Sequence, residues 1–319
     1  MRKITILLLL LVLLTACATS RKTEQTKELM GTVVTITIYH EDMQTAENAI
    51  EDAFTEMERV EGLLSSTENT SQLYILNKYG EVGLASPELI YVLSKSLKYG
   101  DISEGAFDVT VQPILDLYTH TFTDLGRAPA EQEIKEKLGL VSYEDVFIKK
   151  RHIGFTKPGM KITLGGIAKG YIIDRAISVL EEHNISHAIV NAGGDIRVLG
   201  NKGRNDWQIA LQNPRKKSEH ITVISLNNNA VATSGDYERF FDPDKKFHHI
   251  VDPRTGYSAT ELISVTIITG NAIDADALST AVFVLGKARG MGLIESLDNV
   301  EGLIITSDKE ILKSSGFEY

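Results

Sequence analysis

Two periodicities of hydrophobic and polar positions divide the chain into predicted strands and helices. In residues 32–39, apolar and polar side chains alternate and β-branched residues dominate, which predicts a strand. In residues 45–65, apolar residues recur at helical spacing opposite a charged face, which predicts an amphipathic helix. Residues 86–105 predict a second helix with Ser86 as its cap, and residues 129–140 predict a short third helix.

The second half of the chain is richer in strand-like runs and in glycine. Residues 160–164 predict a strand that turns through GGIAKG into a helix with Ala168 and Leu180 on one apolar face. The other predicted strands are residues 187–190, 196–200, 207–212, 221–226, 229–234, 247–251 and 263–269. NAIDADALST and the apolar run AVFVLG follow the last of them and predict a buried helix. With no internal repeat and no linker, this order predicts one mixed α/β (α+β) body with two lobes.

The first residues resemble an export signal. Arg2 and Lys3 precede an apolar run, residues 4–14, which is too short to span a bilayer as a helix. The run ends in LTAC, and the small residues before Cys17 resemble a bacterial lipoprotein signal that is cut before the cysteine. The alternative is an ordinary secretory signal that is cleaved near ATS.

The lipoprotein interpretation predicts three segments. Residues 1–16 form the signal peptide, residues 17–27 form a polar tether anchored through acylated Cys17, and residues 28–319 form the globular domain. Several acyl chains on one residue hold a protein firmly at a bilayer. The protein is therefore expected at the cell membrane, lipid-anchored on its extracytoplasmic side.

Composition removes several classes of function. Cys17 is the only cysteine, so the chain can form no internal disulfide and no thiolate metal site. The formal net charge of −10 makes the protein a poor nucleic-acid binder. An anionic ligand would have to be held by backbone N–H groups or by a cation.

Two glycine pairs follow predicted strands. In LGGIAKGYIIDRA the pair opens a helix whose N-terminal N–H groups can bind phosphate, with Lys169 adding a charge. A tight strand–helix turn with a solvated lysine is at least an equal alternative for this segment. In NAGGDIRVLG, Asn191 and Asp195 can also bond local backbone, so a shaped turn is an equal alternative there. If the preceding strands ran parallel, both turns would lie on one sheet edge and a dinucleotide could lie across them.

Two further segments carry candidate chemistry. Asp276 and Thr280 are four residues apart, so a helix places these hard oxygen ligands on one face, where Mg²⁺ could bind, while Asp274 suits helix capping. FHHIVDPRTG places two histidines on opposite faces of a predicted strand before a turn. One of them could serve as a general base, and the alternative is a hairpin turn with an exposed histidine.

Taken together, these segments resemble the ApbE family of FAD:protein FMN transferases. The matching segments are MGTVVTI, GAFDVTVQP, LGGIAKGYIID, NAGGDIRVLG, ATSGDYERFF, HHIVDPRTGYSA and DADALSTAVFVLG. They occur in the order of the family and cover most of the chain from Met30 to Gly286. The resemblance implies a T-fold-like catalytic body that binds FAD and Mg²⁺. It also implies transfer of FMN to a threonine or serine of exported acceptor proteins, with release of AMP.

The resemblance also implies the site residues, carried over by position. His249 is the expected base for the acceptor hydroxyl. The metal ligands are the backbone carbonyl of Gly166 and the side chains of Asp276 and Thr280. The residues expected at the FAD site are Met30, Thr67, Ala106, Phe107, Asp108, Thr163, Lys169 and Ile250.

The chain departs from the family at two of these positions. Thr163 stands where members often have a carboxylate, and no aromatic residue lies near Thr67. These departures keep open a second function, a Mg²⁺-dependent FAD pyrophosphatase that releases free FMN and AMP. A third possibility is a lipoprotein that binds FAD without catalysis.

Overall fold

A computed structural model describes residues 20–203, 205–216 and 218–318. The predicted signal peptide and Cys17 lie outside the described residues. The helices are α1 (Met43–Leu64), α2 (Gln72–Tyr79), α3 (Pro87–Ile102), α4 (Gln112–Thr123), α5 (Glu131–Leu138), α6 (Ala168–Glu182) and α7 (Ala272–Glu295). Short 3₁₀ turns lie at Val109–Val111 and Tyr143–Asp145.

Most strands belong to one sheet. The strands are β1 (Arg21–Leu29), β2 (Thr32–His40), β3 (Glu81–Val82), β4 (Val146–Lys149), β5 (His152–Phe155), β6 (Ala188–Ala192), β7 (Asp195–Leu199), β8 (Trp207–Gln212), β9 (His220–Leu226), β10 (Ala230–Gly235), β11 (Leu262–Thr269), β12 (Glu301–Thr306) and β13 (Ile311–Lys313). The eight-stranded sheet has the order β1-β2-β6-β7-β10-β11-β12-β13, and every neighbouring pair is antiparallel.

Three long helices cover one face of this sheet. Helix α1 packs against β1 and β2, α6 against β6 and β7, and α7 against β10 and β11, while α6 also contacts both other helices. The apolar positions expected for the first helix are all buried in α1, which confirms its predicted face. The β8–β9 hairpin packs on the other face, where Trp207 and Leu226 join side chains of the sheet in a second apolar cluster.

The chain between α1 and α6 forms the smaller part of the molecule. It contains helices α2 to α5 and a three-stranded sheet in the order β3-β5-β4. Helices α4 and α5 share an apolar cluster of their own that includes Tyr118 and Ile134. The mixed α/β fold predicted from the sequence is confirmed.

The predicted tether over residues 17–27 requires correction. Residues 21–29 form β1, which pairs with β2 along its whole length, from Arg21 opposite His40 to Leu29 opposite Thr32. As an edge strand that is largely solvated, β1 has charged and polar side chains and lacks the hydrophobic alternation by which strands are recognised. Its backbone hydrogen bonds to β2, rather than its side chains, make it a strand.

Two predicted strands also do not form. Residues 160–164 run without a neighbouring strand, because the Asn77 side chain bonds both the amide and the carbonyl of Ile162 (2.7 and 2.8 Å). Residues 247–251 make only isolated bridges, Phe240 with His248 and Val251 with Ser258. In both segments, single side chains and turns satisfy backbone groups that a sheet would otherwise satisfy.

Helix α7 is long and apolar enough to cross a membrane by composition, but it is a core helix. More than half of its most apolar stretch is buried within the fold. Its backbone breaks at Gly286 (φ 79°), which leaves two segments that are each shorter than the ~20 residues of a membrane span. The predicted buried helix is confirmed.

Candidate active site

The first turns of α6 and α7 meet at Gly170. A Cβ on this residue would lie 2.2 Å from the backbone oxygen of Ala272, so only glycine lets the two helices approach this closely. The Gly170 amide donates a 2.9 Å hydrogen bond to Asp276 Oδ2. Two helices therefore begin beside one carboxylate, and the first turn of α6 presents to it an N–H group that favours negative charge.

Asp276 lies in the centre of this contact. Its side chain is buried, with 5% of the residue exposed. Burial raises the pKa of Asp276 to about 7, and the negative charge of Asp195 acts in the same direction, while Lys169 opposes both. A carboxylate in this environment is short of positive charge, which a bound cation would supply.

Lys169 and Asp195 join the two glycine turns. Lys169 Nζ lies 2.8 Å from Asp195 Oδ2. Burial acts against the ammonium, but the carboxylates of Asp195 and Asp276 outweigh it, so the pKa of Lys169 is raised. The two turns meet, but parallel strands before both turns, the condition stated from the sequence, are not the reason. Strands β6 and β7 form an antiparallel hairpin, and no strand precedes Gly165.

Thr280 reaches the glycine turn from the next turn of α7. A Cβ on Gly166 would lie 3.0 Å from Thr280 Oγ1 and 3.3 Å from the ring of Phe107. Ser234, at the end of β10, has its hydroxyl 2.8 Å from Ser279 Oγ and 3.3 Å from Thr280 Oγ1. Gly166, Asp276 and Thr280, the three predicted metal ligands, are thus brought together on one side of the α6–α7 contact.

The two histidines have different environments. His248 is buried and has both ring nitrogens engaged: Nε2 lies 2.7 Å from the Ala259 carbonyl oxygen, and Nδ1 accepts from the Ile250 amide at 3.3 Å. His249 Nδ1 lies 3.2 Å from the Arg239 carbonyl oxygen, so it is the nitrogen that carries the proton. No hydrogen bond involves His249 Nε2 within the described part of the chain.

Burial lowers the pKa of His249 to about 4, and the charges of Arg239 and Lys169 add to the effect. The imidazole is therefore neutral near pH 7, with the lone pair of Nε2 available to accept a proton.

Comparison with known proteins identifies the family. The sequence profile of the ApbE family matches residues 30–304. The chain belongs to the ApbE family. It is 30% identical to the FAD:protein FMN transferase of Treponema pallidum (strain Nichols) over 93% of this chain and 88% of that protein. It is also 30% identical to the FAD:protein FMN transferase of Klebsiella pneumoniae (strain 342), over 90% of each chain.

Solved structures of the family share the fold. The ApbE protein of Thermotoga maritima superposes with a TM-score of 0.84 at 34% identity, over 92% of this chain and 97% of that one. The flavin transferase ApbE of Vibrio cholerae gives a TM-score of 0.81 at 26% identity, over 93% and 98% of the two chains. The similarity thus extends over both the large sheet and the smaller part.

Four of the other residues expected from the ApbE resemblance have structural partners. Asp108 is buried, and its carboxylate accepts from Thr110 and from the amide of Tyr143, so it orders its own loop. Ala106 and Ile250 are buried in the main core. Thr163 Oγ1 accepts from the Gly165 amide at 3.2 Å and so shapes the glycine turn.

Met30 and Thr67 lie outside the cluster around Asp276. Met30 has a positive φ of 55° in the β1–β2 turn, and its amide donates to Glu61. This turn lies beside the β6–β7 turn, since the amide of Gly193 donates to the Val33 carbonyl. Thr67 is exposed after α1, with its hydroxyl 3.1 Å from Ser65 Oγ.

Asp274 is separate from the candidate metal ligands, as predicted, but it is not the cap of α7. Asn271 is the cap and accepts from the Asp274 amide at 2.9 Å. The Asp274 carboxylate accepts from Asn271 and pairs with Lys95 Nζ at 2.8 Å. Burial opposes its ionisation, but the bonds from Lys95, Tyr99 and Asn271 prevail and lower the pKa of Asp274.

The donor set fits a magnesium ion. No group of three or more His, Cys, Asp or Glu side chains that could hold a metal occurs among the residues described. Mg²⁺ needs few protein ligands, because it completes its octahedral shell with water and substrate phosphate. One under-compensated carboxylate, one hydroxyl and a backbone carbonyl match that requirement in chemistry, and all three are oxygen donors.

Sequence reasoning missed two contributors to this site. Asp195 was interpreted as a residue of its own turn, yet its carboxylate pairs with Lys169 and accepts from the Thr233 amide. Ser234 was not singled out, although it contacts both hydroxyls of α7. The available signal was their position at the ends of predicted strands, where side chains from separate segments meet.

Proposed function

We propose that this protein is a Mg²⁺-dependent FAD:protein FMN transferase that attaches FMN to a threonine or serine of exported acceptor proteins and releases AMP. The names of its relatives support the transferase activity. The observation that carries the finer proposal is the convergence of Gly166, Asp276 and Thr280 beside Lys169 and two helix N-termini. An acidic protein that binds a pyrophosphate needs a cation and backbone N–H groups to neutralise the phosphate charge.

In the proposed reaction the acceptor hydroxyl oxygen attacks the phosphorus on the FMN side of the FAD pyrophosphate. A phosphoester bond forms, the pyrophosphate P–O bond breaks, and AMP leaves with the bridging oxygen. The hydroxyl proton goes to Nε2 of His249, whose tautomer is fixed by the Arg239 carbonyl. A single in-line substitution of this type requires no cysteine and no redox change.

The chain supplies charge stabilisation from several directions. Lys169 and the N-terminus of α6 would place positive potential beside the pyrophosphate. Mg²⁺ held by Gly166, Asp276 and Thr280 would act as a Lewis acid on the phosphate oxygens. Lys169 is fixed by Asp195 and therefore needs little rearrangement when the substrate binds.

The decisive experiment uses the mature protein with FAD, Mg²⁺ and an acceptor protein from the same cell. A covalently fluorescent acceptor band on a denaturing gel is expected, with one AMP released per FMN attached. Consumption of FAD without labelling of any of several exported flavoproteins would contradict the transferase proposal.

The same mixture without acceptor tests the two alternatives. Free FMN and AMP in equal amounts, at an unchanged rate, would identify a pyrophosphatase in which water replaces the protein hydroxyl. Tight FAD binding that needs no metal and yields no AMP would identify a flavin-binding lipoprotein. The departures from the family at Thr163 and near Thr67 are the reason to measure the pyrophosphatase outcome.

We also propose that Cys17 is acylated and holds the protein on the extracytoplasmic side of the membrane. Strand β1 begins at Arg21 and ends beside the β6–β7 turn, and nine residues of strand span ~30 Å. Nine residues of strand therefore lie between the proposed anchor and that turn. Cys17→Ser should move the protein from the membrane fraction to the soluble fraction and abolish labelling by palmitate.

A further inference from the structure

Asp174, in the second turn of α6, connects three elements around the active site. Its Oδ1 accepts from Arg197 Nη1 of β7 at 2.6 Å and from the Ala272 amide at 2.8 Å. Its Oδ2 accepts from the Ile273 amide at 2.9 Å. One carboxylate thus ties α6 to the beginning of α7 and to the central sheet.

These bonds satisfy the start of α7. The first N–H groups of a helix have no partner within the helix. Asp174 accepts from the first two, on Ala272 and Ile273, and the Asn271 side chain accepts from the third, on Asp274. The cap of α7 is therefore divided between its own Asn271 and a residue of another helix.

The position of Asp174 matters because of what lies one turn away on each helix. Gly170 precedes Asp174 by four residues on the same face of α6, and its amide bonds Asp276. Asp276 lies one turn after Ala272 on α7. The hydrogen bonds from Ala272 and Ile273 to Asp174 therefore set the position of Asp276 relative to Gly170. They also set the position of Thr280, one turn further along α7, relative to Gly166.

Strand β7 secures this arrangement with two ion pairs of opposite polarity. Asp195 and Arg197 are two residues apart on the strand, so their side chains point to the same face. Asp195 pairs with Lys169 in the first turn of α6, and Arg197 pairs with Asp174 in the second turn. Since the signs are exchanged, a shift of α6 by one turn along β7 would place like charges together.

We propose that Asp174, braced by Arg197, is a positioning residue for the divalent-cation site: it holds the first turn of α7 against α6 so that Asp276 and Thr280 face Gly166. This inference rests on the proposed Mg²⁺-dependent function. It adds a residue that touches neither metal nor substrate but determines where the ligands lie.

The test compares Asp174→Asn with the wild-type mature protein. The side-chain nitrogen of asparagine is a donor and would face another donor, either Arg197 or an α7 amide. The residue therefore loses at least one of its hydrogen bonds to these groups. Hydrogen exchange at Ala272 and Ile273 should accelerate in the metal-free variant. The Mg²⁺ concentration for half-maximal binding, measured by calorimetry with FAD present, should rise about 10-fold or more.

Leu180→Ala is the matched control for stability. Leu180 is buried in the same helix, six residues after Asp174 and near the C-terminal end of α6. This variant should lower the melting temperature and leave Mg²⁺ affinity and the exchange of Ala272 and Ile273 at wild-type values. A weakening of Mg²⁺ binding equal to that of Asp174→Asn would mean that lost stability explains both, and would overturn the inference.

Two further outcomes separate this inference from the proposed function. Unchanged exchange and unchanged Mg²⁺ affinity in Asp174→Asn, beside a normal response of the wild type, would overturn the inference alone. A wild-type protein that shows no Mg²⁺ binding with FAD would overturn the cation site and the inference together. In that case, accelerated exchange would leave Asp174 as a structural cap.

Discussion

The backbone amide of Gly170 and the carboxylate of Asp276 are joined by a 2.9 Å hydrogen bond where two helices begin. The bond holds the buried acid against α6. The carboxylate is short of positive charge, because it is influenced by the negative charge of Asp195 and shares Lys169 with it. The site therefore holds unfavourable electrostatics in the metal-free protein that cation binding would relieve.

Replacing Asp276 with Asn should separate activity from stability. We expect transfer to fall by about 100-fold or more, because a Lewis acid contributes several kcal/mol. The metal-free variant should melt at a higher temperature than the wild type at pH 8, because a desolvated charge has been removed. A large fall in its melting temperature would instead indicate that the carboxylate acts mainly as a structural acceptor.

The pH dependence of Mg²⁺ binding should reflect the raised pKa of Asp276. Its folded-state pKa of about 7 lies above the ordinary value, so the folded protein holds an extra proton between about pH 4 and 7. Stability from this group is full at low pH and is lost as the pH rises through 7. Since Mg²⁺ must displace the proton, the Mg²⁺ concentration for half-saturation should fall as the pH rises to about 7 and then level off.

Asp276→Glu and the wild type, titrated with Mg²⁺ by calorimetry from about pH 5.5 to 8.5, would check this prediction. Glutamate keeps a titrating carboxylate but moves it by one methylene group, so the pH at which Mg²⁺ affinity levels off should shift. The half-saturating Mg²⁺ concentration should still fall as the pH rises. A wild-type affinity that is flat across this range would show that Asp276 is ionised throughout.

The adjacent histidines form a natural pair of variants. His249→Ala should reduce FMN transfer about 10²–10⁴-fold, as expected for loss of a general base, with little change in melting temperature or FAD affinity. His248→Ala should mainly lower stability, by about 1–3 kcal/mol, since it removes a buried side chain and the 2.7 Å contact of that side chain with the half-buried Ala259 carbonyl.

Rates at saturating FAD and acceptor, and urea unfolding of both variants, measure the two effects. A His248 variant that loses activity while keeping full stability would reverse the assignment. Because the pKa of His249 is about 4, the acidic limb of its pH–rate profile should lie well below pH 6.

Gly165, just before α6, and Gly170, in its first turn, should differ sharply in their tolerance of substitution. Gly170→Ala would place a methyl group 2.2 Å from the Ala272 oxygen, so the helices must separate, at a cost of about 1–3 kcal/mol or more. Gly165→Ala would meet only Thr163 Oγ1, at 3.4 Å. The melting temperature and Mg²⁺ affinity should fall for the first variant and remain close to wild type for the second; equal effects would show that the helix contact is not the cause.

Local sequence determined the elements that bury a regular apolar face. Helix α1 formed with the predicted buried residues, and β2, β8, β10 and β11 formed at the predicted positions, because side-chain periodicity alone selects which face is buried. The ordered segments of the ApbE resemblance also named Gly166, Asp276 and Thr280, which the structure brings together.

Only the tertiary structure decided the remainder. Strand β1 exists because β2 offers backbone partners, and residues 160–164 are not a strand because Asn77 satisfies their backbone instead. The ion pairs of α6 with β7 and the cap that Asp174 provides for α7 join residues far apart in the chain. Such contacts depend on which polar groups folding buries together, and no local pattern encodes that choice.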